Sequence, residues 1–451
     1  MASTEIRRTT GSTPTNAEKF TVSLWFKLSQ VGSSVGLFGW RENSNSGNNN
    51  LFIRINGSGN FQIYVTNNGG NHLTLLTNRL FRDCNSWYHA VISVDSSQST
   101  SSDRAKLYIN GIQETSFSSA SYPASGTTFF SNDTQINFGK TRSTGDTDTY
   151  FSGIQSHIHF CDGYAYDASY FGSTDSTTEE WKINTSPSVS YGNNGFWWLK
   201  DSIATTDHSP NSNTWSSGGG TLTKTEDCPS NFFATLNPLA TSSYTTLSKG
   251  NTKSYGDTSA DNGNSFSTLA PNSGKYYVEA KIGAMTSNYP RVGIKQINTN
   301  TFGRLLNSTP GIAGYATAYE GSYQSDAIKY SDNSTVTWGS TYGAGDIISI
   351  ALDCDNGACY MAKNGTWQES GNPTSGGSKT GAFLTWTPAD VDGHAIAVAD
   401  YNGSNCQFNF GNGYFDTTAV SSAGTNASGI GIFEYDVPTG YTALSTKGLN
   451  E

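Results

Sequence analysis

The chain is short of charge. Its 26 basic and 36 acidic residues make up 14% of 451 positions, against roughly 25% in an ordinary globular protein. Solubility must therefore rest on hydroxyls and amides. The net charge of −10 argues against a nucleic-acid surface, because that affinity depends on Lys and Arg neutralising phosphates. No run approaches the roughly 18 apolar residues that span a bilayer, and the opening MASTEIRRTTG lacks the apolar stretch of a secretion signal. A protein made in a cytosol, with no membrane insertion, is the expectation. The six cysteines (Cys84, Cys161, Cys228, Cys354, Cys359 and Cys406) are too few and too scattered for a disulfide scaffold or a zinc knuckle. Most are expected to be buried thiols. Proline is scarce at 12, and with the abundant aromatics this makes the chain neither collagen-like nor a disordered low-complexity one.

Glycine and aromatics are abundant: 49 Gly, 23 Phe, 24 Tyr and 10 Trp. Such a composition can build cores and punctuate them with turns. Helical periodicity is hard to find, whereas short alternating strands recur. Asn-Gly, which suits the type I′ hairpin because both residues tolerate positive φ, occurs at Asn56, Asn68, Asn110, Asn194, Asn262, Asn356, Asn364, Asn402 and Asn412. One hairpin is predicted from Leu51, Ile53 and Ile55, a loop at Asn56 to Asn60, and Phe61, Ile63 and Val65. Another is predicted from Tyr88 to Asp95 and Lys106 to Ile109. The fold class is therefore all-β, as two tandem antiparallel β-sandwiches. The pattern lapses into Ser, Gly and Thr at Ser216 to Asp227 and resumes at Lys275, so the boundary is placed near residue 228.

Four segments in family order, FTVSLWFKL (Phe20 to Leu28), SWYHAVISVD (Ser86 to Asp95), KLYINGIQ (Lys106 to Gln113) and FSGIQSHIHFCD (Phe151 to Asp162), resemble the laminin-G-like, or concanavalin A-like, jelly-roll family. Phe196 to Trp215 resembles the opening strand and turn of such domains, yet here it comes last, which implies a permuted sandwich closed by that segment. In the second half, SGKYYVEAKI (Ser273 to Ile282), RVGI (Arg291 to Ile294), GDIISIALDCDNGACYMAKNGTW (Gly345 to Trp367) and FNFGNGYF (Phe408 to Phe415) resemble the SPRY family, a bent two-sheet sandwich. Ile348, Ile350 and Leu352 then form one buried face. Ala284 to Ser340 departs from that pattern.

The tandem order resembles marine bacteriophage virion proteins of the tail-fibre or capsid-appendage kind. RTTGSTPT (Arg8 to Thr15), PSNFFATLNPL (Pro229 to Leu239) and DVPTGYTALSTKGL (Asp436 to Leu449) carry it. The resemblance implies an arm at 1–17, a jelly roll at 18–227, a linker with opening strands at 228–272, a SPRY-like sandwich at 273–416, and a connector and tail at 417–451. It also implies a virion location, other virion proteins as partners, and a homo-oligomer.

Catalysis has little support. Retaining sandwich glycosidases place their two carboxylates on one strand face as ExDxxE, and no such run occurs. Glu179 with Glu180, and Asp353 with Asp355, read as turn carboxylates. His157 and His159 alternate on one strand and project together, but no third metal ligand is near in sequence. They are expected at a sheet surface or interface. No cofactor is expected. Calcium, which some laminin-G-like domains carry, has Asp133, Asp146, Asp148 and Asp162 as possible donors and stays unassigned. Cys354 and Cys359 flank Asn356-Gly357, and a two-residue hairpin would set them opposite each other at disulfide distance, although cytosolic synthesis argues against the bond.

Sugar recognition would use aromatic faces at a sandwich rim. Tyr164, Tyr166 and Tyr170 are the candidates, with His157 and His159 beside them. The same tyrosines could instead pack into a domain seam or a neighbouring subunit. Both alternating faces of Phe196 to Leu199 are apolar, which means burial. Three functions remain open: display of a module adhering to a host-surface glycan or protein, a purely structural assembly role, and a polysaccharide-degrading enzyme.

Overall fold

The computed structural model describes residues 4–42, 50–67, 70–141, 149–200, 206–220, 222–257, 263–287, 289–297, 320–331 and 334–450. Among them there is no α-helix, only strands, turns and short 3-10 turns. The chain forms two compact units, Met1–Lys224 and Thr225–Glu451.

The strands of the first unit are β1 (Glu5–Thr9), β2 (Lys19–Leu28), β3 (Val35–Glu42), β4 (Asn50–Ile55), β5 (Asn60–Asn67), β6 (Gly70–Leu80), β7 (Tyr88–Asp95), β8 (Ala105–Ile109), β9 (Ile112–Glu114), β10 (Phe117–Ser121), β11 (Thr134–Phe138), β12 (Gly153–Asp162), β13 (Gly172–Thr174), β14 (Trp181–Ile183), β15 (Phe196–Trp198) and β16 (Ser216–Gly219). An eight-stranded sheet runs β10-β6-β5-β4-β3-β11-β1-β16, and a six-stranded sheet runs β15-β12-β2-β7-β8-β9. All these pairings are antiparallel. Period-two alternation sends Phe20, Val22, Leu24, Phe26 and Leu28 of β2 into one core with Phe38, Trp40, Leu51, Ile53 and Phe61 of the larger sheet. Each such side chain contributes about 1.5–3 kcal/mol by leaving water.

The strands of the second unit are β17 (Thr245–Ser248), β18 (Lys253–Gly256), β19 (Gly263–Phe266), β20 (Lys275–Ile282), β21 (Arg291–Gln296), β22 (Gly321–Gln324), β23 (Ile328–Ser331), β24 (Ser334–Thr337), β25 (Ile347–Asp353), β26 (Ala358–Lys363), β27 (Thr366–Trp367), β28 (Leu384–Thr385), β29 (His394–Asp400), β30 (Asn405–Asn409), β31 (Tyr414–Phe415), β32 (Thr418–Ala419) and β33 (Thr442–Ala443). One sheet runs β17-β18-β30-β20-β25-β26-β27, with β28 on β26 and β33 on β20; the other runs β19-β29-β21-β22-β23-β24. The core between them includes Ile348, Ile350 and Leu352, the face expected from the sequence, with Ile396, Val398 and Phe408. The only parallel pairing among the described strands of this unit is the short one of β33 with β20.

Two termini differ from expectation. Residues 1–17 were to be an arm, yet β1 lies between β11 and β16, with Ile6 2% exposed in the core. Residues 417–451 were to be a connector and tail, yet Ile430, Phe433, Val437, Tyr441 and Leu444 complete the second core. The reason is the same at both ends: a few large apolar side chains in otherwise polar stretches find long-range partners. Phe233 and Leu236, within the expected linker, are likewise core residues.

Candidate functional site

The outer face of the six-stranded sheet is not left to solvent. Trp25, His89, His159, Cys161 and Trp197 project there from β2, β7, β12 and β15, and the 164–191 stretch covers them. His89 is fully buried beneath it. Trp25 stacks on the His89 ring at 4.6 Å and 11°, and Trp181 of the β13–β14 hairpin lies over it at 6.0 Å and 17°. The Trp181 indole N–H donates to Nδ1 at 2.9 Å, so the ring's own proton sits on Nε2, 2.8 Å from Ser23 Oγ. Burial pushes the His89 pKa down to about 3, helped by His157. Gly111 and Gly172 leave room for the Trp181 ring, since a methyl group at either would collide with it.

His157 and His159 do not alternate as simple strand neighbours. A bulge interrupts β12 between Ser156 and His159, and His157 has φ +44°. His159 is 2% exposed, with Nδ1 2.9 Å from Tyr191 Oη and its ring between Phe171 and Trp197. His157 is 8% exposed, with Nδ1 2.7 Å from Ser156 Oγ. The expectation of two histidines at a surface is thus corrected: both are buried, His159 against Phe171, Tyr191 and Trp197, and His157 beside Trp197. Among the described residues no group of three or more His, Cys, Asp or Glu is arranged to hold a metal.

At the edge of this cover the three tyrosines form a ladder. Tyr164 stacks on Tyr166 at 5.8 Å and 13°, and Tyr166 meets Tyr170 at 4.6 Å and 51°. The Thr21 side chain fixes the start of the ladder, donating to Tyr164 O at 2.8 Å and accepting from Tyr166 N at 2.7 Å. Tyr166 Oη accepts from Ser190 N at 2.9 Å. Asp167 caps the 3-10 turn that carries Tyr170, accepting from Ser169 N. Tyr164 and Tyr166 are half-buried against the aromatic layer, while Tyr170 is 42% exposed. One end of the ladder is anchored in the fold, and the other presents a ring to solvent.

Asp162, Asp353 and Asp355 are engaged within the fold. Asp162 is buried and accepts from Thr15 N, Asn194 N and Asn194 Nδ2 at 2.9–3.0 Å, which ties β12 to the stretch before β2 and to the one before β15. Asp146 and Asp148 lie outside the described residues. Glu179 and Glu180 are exposed at the β13–β14 turn. Asp353 is buried, pairs with Lys275 at 3.0 Å and accepts from Asn356 N and Nδ2. Asp355 accepts from Gly274 N. The β25–β26 register is Asp353↔Ala358 and Leu352↔Cys359, so the turn has four residues and Cys354 is not opposite Cys359. Both are free thiols, which removes the disulfide.

Sequence reasoning missed a cleft of about 380 Å³ lined by Thr13, Pro14, Glu42, Phe130, Ser131 and Asn132, among others. Its walls come from stretches far apart in the chain, which no local pattern marks. Sequence reasoning also missed His89, a lone histidine in an apolar strand with nothing beside it to distinguish it.

Residues 4–163, which is 160 of 451 positions, match the family model of the concanavalin A-like lectin/glucanases superfamily, Laminin_G_3. Among solved structures the chain is similar to the SPRY domain of human HERC1 at 16% identity and TM-score 0.29, covering 38% of this chain and 96% of that one. It is also similar to the heptameric SAP-like pentraxin of Limulus polyphemus at 12% identity and TM-score 0.30, covering 48% and 89%. A third is domain 4 of AbnA, a GH43 extracellular arabinanase from Geobacillus stearothermophilus in complex with arabinotriose, at 18% identity and TM-score 0.26, covering 36% and 68%. No curated protein matches the chain. The strand topology shows two tandem antiparallel β-sandwiches, the first of which carries the concanavalin A-like match over 4–163.

Proposed function

We propose that the chain is a non-enzymatic virion protein of a bacteriophage, of tail-fibre or capsid-appendage type, whose first sandwich adheres to a host-surface glycan. The tyrosine ladder carries this reading. Aromatic faces take the apolar side of a sugar ring, and Tyr170 offers one to solvent at the end of an anchored stack. The concanavalin A-like match over 4–163 supports carbohydrate or protein binding. A homo-oligomer would multiply weak single contacts into useful avidity. Binding of the multimer to host cells and glycan arrays is the test, and flat responses in both would contradict the proposal. Copy number by quantitative mass spectrometry of density-purified particles tests the virion location separately; absence from the particle would contradict it.

A structural role is favoured by one observation. Among the described strands β10 and β24 lie at sheet edges and present mostly exposed Ser, Thr, Ala and Val, an arrangement that pairs readily with another chain. Hydrolysis would need two carboxylates about 5 to 9.5 Å apart, and among the described residues lining the cleft Glu42 is the one acid. Release of reducing ends from host polysaccharide would favour an enzyme over the present reading.

A further inference from the structure

At one end of the second sandwich several polar side chains are enclosed without partners. Asp400 closes β29 and is wholly buried. Strand pairing sets it opposite Gly263 of β19, so it shares the inward face of Val398 and Ile396. Ser265 of β19 lies two residues along on that face. From the other sheet come Ser254 of β18, paired with the core residue Cys406 of β30, and Thr245 of β17, whose Oγ1 lies directly over Gly263. Both Asp400 oxygens, and the hydroxyls of Ser254, Ser265 and Thr245, lack a completed hydrogen bond. Ser254 is near enough to favour the Asp400 charge slightly, but not in bonding geometry.

The charges around Asp400 do nothing to keep it ionised. Ser254, Thr245 and Ser265 are neutral, and the Cys406 thiol is itself pushed well up by burial and by Asp400. Asp257, following β18, is another acid and repels the charge. Among the described residues no lysine, arginine or histidine acts on it. A carboxylate taken wholly out of water without a counter-charge neutralises rather than stays charged.

We propose that Asp400 is held as an un-ionised carboxylic acid whose proton lets β17 and β18 pack against β19 and β29, making this end of the second sandwich sensitive to alkali. The neutral acid can donate as well as accept and needs no counter-charge; the anion would have only neutral hydroxyls in place of one. Burial pushes its pKa up to about 8, in line with the geometry. The sign follows: the folded chain holds one proton that the unfolded chain has already lost above pH about 4. Stability from this group is therefore complete below pH about 4 and is lost as pH rises toward 8.

The test uses the full chain and Asp400→Asn, which keeps the shape and cannot ionise. In denaturant unfolding between pH 4.5 and 8 the wild type is expected to lose stability relative to the variant as pH rises, by one proton, roughly tenfold in the ratio of their unfolding constants per pH unit. At pH 9, alkylation of Cys406, mapped by mass spectrometry, is expected to be faster in the wild type than in the variant. Parallel pH profiles in the two proteins would overturn the proposal. Should the variant not fold, infrared spectra of wild-type chain with carboxyl-labelled aspartate decide: a protonated carboxyl band at pH 6 that is lost by pH 10 supports the proposal, and its absence at pH 6 overturns it. A rise in wild-type melting temperature with added calcium or sodium that Asp400→Asn abolishes would also overturn it, in favour of a bound cation.

Discussion

The Trp181 indole N–H donates to His89 Nδ1 at 2.9 Å, and this one bond ties the β13–β14 hairpin to the sheet beneath it. Protonating His89 would set two N–H groups against each other. Its pKa, pushed down to about 3 by burial and then by His157, lies below the ordinary value of 6.5, and that of His159 is lowered well below it for the same reasons. The unfolded chain thus binds protons the folded chain does not. The stability these two histidines contribute is complete above pH about 6.5 and falls as pH drops toward 3. Melting temperature across that window measures this. Trp181→Phe leaves a buried acceptor unpaired and is expected to cost about 1–3 kcal/mol at pH 7, read by denaturant unfolding.

In the second unit, Glu279 of β20 is fully buried and accepts from Glu434 N and Tyr435 N, both at 2.9 Å, from Tyr277 Oη at 3.2 Å and from Asn409 Nδ2 at 3.3 Å. It is the anchor for the stretch around Phe433. Burial nonetheless pushes its pKa up to about 7, against the pull of those donors. Glu279→Ala orphans buried donors and is expected to cost about 2–4 kcal/mol. Limited proteolysis should then cut between residues 417 and 440 sooner than in the wild type. Equal cleavage rates would show that the apolar contacts alone hold this segment.

Thiol counting checks the cysteine assignment. All six are free, and all but Cys228 are buried, with burial pushing the thiols of Cys84 and Cys354 up to about 11 and about 12. One thiol is expected to react promptly in the native protein at pH 8, and six after denaturation without reductant. Four after denaturation would restore a disulfide.

Much of the fold is legible locally. The predicted pairing around Asn56 to Asn60 is observed with Ile55↔Phe61, Ile53↔Ile63 and Leu51↔Val65. Asn110-Gly111 and Asn364-Gly365 take positive φ at both positions and close two-residue turns. Asn356-Gly357 does not, because the Asp353 side chain binds Asn356 and widens the turn to four residues. What escapes is long-range. β1 is ordered by pairings such as Ile6↔Phe138, and β33 by Tyr276↔Thr442, which no local pattern reports. The tyrosines of the candidate site could be named from their loop, but their stacking could not, since Thr21 and Ser190 that fix them lie 143 and 24 residues away. Alternation misplaced the histidines because a bulge carries no signature in the residues themselves.

The central claim is that Tyr170, at the exposed end of the ladder, holds a sugar ring. Tyr170→Ala removes an exposed ring that rests only on the half-buried Tyr166 in the stack, and should leave the melting temperature within about 2 °C, as surface substitutions usually do. Its binding to the glycans that the wild-type protein retains on a host-glycan array is expected to fall about tenfold or more, the equivalent of about 1.4 kcal/mol. Unchanged glycan binding by a folded Tyr170→Ala protein would contradict the account.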